Sequence, residues 1–96
     1  MNKKEHLLTT LAEECAEVQQ AVSKALRFGA KDSRPGAEST NAQDIEKEFI
    51  EAMAVRDMLR ELGVITQPCN SKQIYDDKRA RVEKYLNLAK ENGTLT

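Results

Sequence analysis

The chain has 96 residues, 40% of them hydrophobic and only 4% aromatic, with 15 basic and 16 acidic side chains for a net charge of −1. So short a chain makes one domain, expected over residues 1–96, with a core of aliphatic rather than aromatic side chains. The near balance of charge argues against a dedicated nucleic-acid binder, which would carry a basic excess or stripe.

Along the chain, Lys3 and Lys4 are followed by no apolar h-region, and Glu13, Glu14 and Glu17 interrupt any such reading. No signal peptide and no membrane span are therefore expected. His6, the single histidine, lies near the start and reads as a surface residue. Leu7, Leu8, Leu11, Cys15, Val18, Val22, Ala25 and Leu26 recur at spacings of three and four. That period predicts a first helix from Lys3 to Phe28 with one buried face, and it places Cys15 as a buried thiol. Cys15 and Cys69 match no metal-binding spacing, which fits a reduced, cytoplasmic setting.

Gly29 is the expected stop. Residues 30–40 contain Asp32, Ser33, Pro35, Gly36 and Ser39 and read as loop, with Lys31 and Arg34 in it. A second helix is expected from Asn41, as N-cap with Asp44 three residues on, through Leu62 to Gly63. A third is expected from Asn70 or Ser71 to about Asn92-Gly93, with Ile74, Val82, Tyr85, Leu86 and Ala89 on one line and Lys78 within it.

Helix two carries two apolar lines. One runs through Ile45, Phe49, Ala52 and Leu59, the other through Val55, Met58 and Leu62. A helix apolar on two sides needs partners on two sides. The expected architecture is all-α: a bundle of three main helices whose four-helix core is completed by homo-oligomerisation, most simply through a two-fold dimer.

Continued backward at spacings of three and four, the Leu62, Met58 and Val55 line meets Glu51 and Glu48. An ionised carboxylate on an apolar line must be solvated, paired with a base or bound to a cation. Helix one offers a matching pair in Glu14 and Glu17, with Glu14 about 60° from the centre of the apolar arc by the 100° step. If the two helices pack antiparallel, the pairs Glu14/Glu17 and Glu48/Glu51 face each other. Four carboxylates with no histidine or cysteine form a hard donor set, suited to Mg²⁺, with Mn²⁺ as the alternative, rather than to Zn²⁺. The plainer reading of Glu13 and Glu17 alone is a solvated helix face.

These residues also carry a resemblance. Leu11-Ala12-Glu13-Glu14-Cys15-Ala16-Glu17-Val18-Gln19-Gln20-Ala21 looks like the first motif of the MazG-like nucleoside triphosphate pyrophosphohydrolases. Ser23 to Gly29, the Pro-Gly loop and Thr40-Asn41 are similar to the small phage- and bacteria-encoded branch of that family. Glu48-Phe49-Ile50-Glu51 stands where the family has Glu-x-x-Asp, and Lys78-x-x-Arg81 with Glu83-Lys84-Tyr85-Leu86 resembles its closing segment. The resemblance implies the all-α NTP pyrophosphatase fold, active as a dimer or tetramer. It also implies Mg²⁺-dependent hydrolysis of a nucleoside or deoxynucleoside triphosphate to monophosphate and pyrophosphate. Carried over by position, Glu14, Glu17, Glu48 and Glu51 would be metal ligands, with Glu13 an accessory acid beside the catalytic Glu14 and Glu17.

A triphosphate needs cations to complete its neutralisation. Lys24, Arg27 and Lys78 are the candidates, each with an ordinary surface role as its rival, and Arg81 reads as a surface base. Asn41 is an N-cap first and a base or ribose contact second. One departure matters: Glu51 replaces the family's aspartate, and the extra methylene moves the carboxylate by roughly 1.5 Å. Two other readings follow from the same residues: a nucleotide-binding regulator without efficient turnover, and a non-enzymatic helical interaction protein.

Overall fold

The computed structural model describes residues 1–96 and is all-helical, with no strand: α1 spans Lys3–Phe28, α2 Asn41–Glu61 and α3 Ser71–Glu91. The chain divides into two compact units, Met1–Thr66 with α1 and α2, and Gln67–Thr96 with α3. No helix is long and apolar enough to cross a membrane.

In the first unit α1 and α2 pack as an antiparallel hairpin. Asn41 at the start of α2 bonds Gly29 at the end of α1, while the carboxylates of Glu48 and Glu51, further along α2, lie near those of Glu14 and Glu17, further back on α1. The inward face of α1 is Leu7, Thr10, Leu11, Glu14, Val18, Ala21 and Ala25; that of α2 is Asn41, Asp44, Ile45, Glu48, Ala52, Val55 and Leu59. Both follow the three-and-four period of a buried helical stripe. Leu59 is fully enclosed, and Leu7 and Ala21 are nearly so.

This face corrects three expectations. Cys15 is exposed; it sits about 120° round α1 from Ala21 by the 100° step, on the outer side with Leu8 and Leu26. On α2 the inward line draws from both predicted lines, taking Ile45, Ala52 and Leu59 from one and Val55 and Glu48 from the other. Phe49, Met58, Leu62 and Glu51 are left exposed. The N-cap of α2 is Thr40, one residue earlier than expected. Its hydroxyl accepts from the Gln43 amide at 3.1 Å while the Gln43 side chain accepts from the Thr40 amide at 2.8 Å, a reciprocal capping box.

Asn41 is instead the first helical residue and is buried, its side-chain amide donating to the Gly29 carbonyl at 2.9 Å. The connecting loop is fastened to α2 by two more bonds, from the Asn41 amide to the Asp32 carbonyl at 2.7 Å and from the Ala42 amide to the Ala30 carbonyl at 2.8 Å. Gly29 makes the exit from α1 at φ +96°, a backbone state that favours glycine. Together these bonds bring the C-terminal end of α1, the loop and the first turn of α2 to one place.

The second unit is α3 with its flanking turns. The Ile74, Val82, Tyr85 and Leu86 line is exposed, and α3 buries no side chain within this chain. Asn70 precedes it as cap without a side-chain capping bond.

Candidate metal centre and anion cleft

Halfway along the hairpin, the stripes of both helices are interrupted by acids. Glu14 lies on the inward stripe between Thr10, Leu11 and Val18, and Glu48 between Asp44, Ile45 and Ala52; each has one carboxylate oxygen, Oε2, buried without a hydrogen-bond partner. Glu17 and Glu51, one turn on in each helix, are more exposed. All four offer a carboxylate oxygen within 4.8 Å of the others. The expected face-to-face arrangement of the pairs is therefore present, but their internal ranking differs. Glu14 and Glu48 form the inner pair, whereas the apolar line in the sequence pairs Glu48 with Glu51.

Four negative groups at this separation repel. At 4.8 Å a pair of unit charges interacts by about 1 kcal/mol in water and about 3.5 kcal/mol at an effective dielectric of 20. An unpartnered buried carboxylate oxygen adds a desolvation penalty. A divalent cation between the helices relieves both. Such an ion would be held by two carboxylates from each helix, Glu14 and Glu17 from α1 and Glu48 and Glu51 from α2. The donor set fits a hard cation that takes oxygen ligands.

Basic residues lie to one side of this cluster. A cleft of about 260 Å³ begins at Glu17 and Glu48 and is lined by Lys24, Arg34 and Lys47. Lys47 also stands 3.9 Å from Glu51, a long and exposed ion pair that leaves its ammonium group available to a second anion. The amides at the start of α2 are already committed: Asn41 and Ala42 to loop carbonyls, Gln43 to Thr40. An anion here is thus held by side chains and not by the helix terminus.

Lys24 is the expected cation that joins the site. Arg27, in the last turn of α1, instead has its guanidinium over the Phe28 ring, 5.1 Å from the centroid. Asn41 lines the cleft, with its amide nitrogen engaged by Gly29. Glu13 is exposed and outside the four-carboxylate cluster, on the same side of α1 as Glu17 and one turn before it. Lys78 is exposed on α3, in the second unit. Arg34, Lys47 and Asp44 line the cleft without having been assigned to it from the sequence. For Lys47 a signal existed, since it lies three residues after Asp44 and four before Glu51, on their side of α2. For Arg34 none did, because a loop has no periodicity to read.

Fold and site together define an all-helical protein with a possible acidic metal-binding cluster. No family model, curated protein or solved structure matches the chain.

Proposed function

We propose that this protein is a MazG-like, Mg²⁺-dependent pyrophosphohydrolase of nucleoside triphosphates, acting as a cytoplasmic homo-oligomer. The observation that carries the reading is the inner pair. Glu14 and Glu48 each bury an unpartnered carboxylate oxygen within a four-carboxylate cluster, in a core where apolar residues would pack at no electrostatic expense. Beside that pair, the cleft with Lys24, Arg34 and Lys47 is suited to a polyphosphate.

Mg²⁺ held there would supply charge neutralisation for the phosphate oxygens and activation of a water nucleophile. Glu14 and Glu48 would hold the ion from the two helices, with Glu17 and Glu51 completing the set at the rim. Lys24, Arg34 and Lys47 bind and orient the departing pyrophosphate end. Glu13, one turn from Glu17, is the accessory acid that orients the attacking water. Asn41 acts on the cleft by fixing the loop that carries Arg34.

The oligomer rests on the other side of the hairpin. Leu8, Cys15, Val22 and Leu26 of α1, with Phe49 and Met53 of α2, are exposed on the side away from the cleft, and Leu26 is 83% exposed. α3 adds its own uncovered apolar line. Such a surface is suited to a second copy that completes a four-helix core.

One observation favours the regulator as a second reading. Glu51 is longer than the family's aspartate, is exposed, and has Lys47 3.9 Å away, all of which weaken it as a ligand. The experiment that separates the readings incubates the protein with Mg²⁺ and each nucleoside triphosphate. It follows both pyrophosphate release and protection against thermal unfolding. Release that is lost in Glu14→Gln or Glu48→Gln supports the hydrolase, and protection without release supports the regulator. Neither release nor protection leaves a helical interaction protein.

A further inference from the structure

The anion cleft does not end at the cations. A second cleft of about 240 Å³ adjoins it and shares Lys24, Arg34, Asn41 and Asp44 with the first, then continues to Phe28 and Pro35. Its walls are largely apolar there, in contrast to the charged walls beside Glu17 and Glu48. The two clefts therefore form one path: Glu17 and Glu48 at one end, Lys24, Arg34 and Asp44 between, and Phe28 and Pro35 with Asp32 and Ser33 at the other.

That order follows the register of α1. Glu14, Glu17, Lys24 and Phe28 succeed one another along the helix, and a rise of 1.5 Å per residue sets Phe28 about 16 Å beyond Glu17. This is comparable with the length of an extended nucleoside triphosphate. Phe28 is more than half exposed, although it ends a helix in a chain with only two phenylalanines and no tryptophan. The other, Phe49, stands on the opposite side of the hairpin. The Arg27 guanidinium lies over the Phe28 ring, a contact that orients the aromatic plane. Pro35 supplies a rigid apolar wall from the loop, which the bonds of Asn41 and Ala42 hold in place.

Resting on the triphosphate reading above, we propose that the Phe28–Pro35 cleft is the base subsite. The nucleotide then lies along α1 with its phosphates at Lys24, Arg34 and Lys47 and its base stacked on Phe28. Every nucleobase has a π-face, so stacking on this ring supplies affinity with little discrimination among bases.

The test measures binding of α,β-imido deoxynucleoside triphosphates, one purine and one pyrimidine, and of inorganic tripolyphosphate, each with Mg²⁺. Phe28→Ala is expected to weaken both nucleotide analogues about tenfold and to leave tripolyphosphate unchanged. Phe28→Tyr, which keeps the ring, is expected to bind all three as the unsubstituted protein does. The subsite assignment is overturned if Phe28→Ala binds the analogues normally, or if it loses tripolyphosphate in the same proportion. If the unsubstituted protein binds tripolyphosphate as tightly as the nucleotides, the base has no subsite, yet the triphosphate reading stands. If it binds none of the three, the triphosphate reading itself fails.

Discussion

Glu14 on α1 and Glu48 on α2 bring their carboxylates together inside the hairpin, each with Oε2 enclosed and unpaired. Removing one charge therefore has opposite consequences for stability and for function. In a chelator-treated sample, Glu48→Gln is expected to raise Tm by a few degrees, because it removes repulsions of about 1–3 kcal/mol each. With Mg²⁺ present, the same variant should lose pyrophosphate release by about a hundredfold or more. A Tm that falls in chelator would mean that Glu48 stabilises the metal-free hairpin.

Metal itself should stabilise the protein. At a Mg²⁺ concentration a hundred times its dissociation constant, linkage supplies about 2.7 kcal/mol. Thermal unfolding is thus expected several degrees higher in Mg²⁺ than in chelator, and the increment should vanish in the Glu14→Gln, Glu48→Gln double variant.

Glu51 should be the more tolerant position. It is exposed and faces Lys47, so Glu51→Gln is expected to reduce turnover less than Glu48→Gln does. Glu51→Asp restores the residue type of the family that the sequence resembles and should equal or exceed the unsubstituted rate. Steady-state kinetics on the three variants ranks them.

Asn41 and Leu59 test the scaffold. Asn41→Ala leaves the Gly29 carbonyl without its donor, and a loss of about 1–3 kcal/mol is expected in urea unfolding. Leu59→Ala empties a fully enclosed site and should lose about 2–5 kcal/mol. The outer side of the hairpin is tested separately: Val22→Glu with Leu26→Glu is expected to convert an oligomer to monomers in light scattering.

The helices were legible in the sequence nearly to the residue. Long three-and-four periodicity, a glycine after Phe28 and another after Leu62 leave little freedom in where α1 and α2 end. Their inward faces were less legible. A helix with two apolar lines some 100° apart offers two candidate seams, and only the partner helix decides between Leu59 and Met58. On α1 the apolar positions span about 100° by the helical step, and Cys15 falls at the edge that α2 leaves exposed. The ambiguity on α2 also pairs Glu51 with Glu48 on one line, although Glu51 turns about 60° away by the helical step. The cap of α2 slipped by one because Thr40–Gln43 and Asn41–Asp44 offer the same spacing, and the buried bond from Asn41 to Gly29 is a tertiary contact. The four glutamates were found by their residue type and spacing, whereas Arg34 reached the site through loop bonds that no periodicity announces.

Equilibrium binding of Mn²⁺, followed by electron paramagnetic resonance, tests the central claim most directly. The full chain is expected to show saturable binding that Mg²⁺ displaces and that the Glu14→Gln, Glu48→Gln double variant loses. Absence of saturable binding to the unsubstituted protein, or equal binding to the double variant, would contradict the assignment of the inner pair as the metal's anchor.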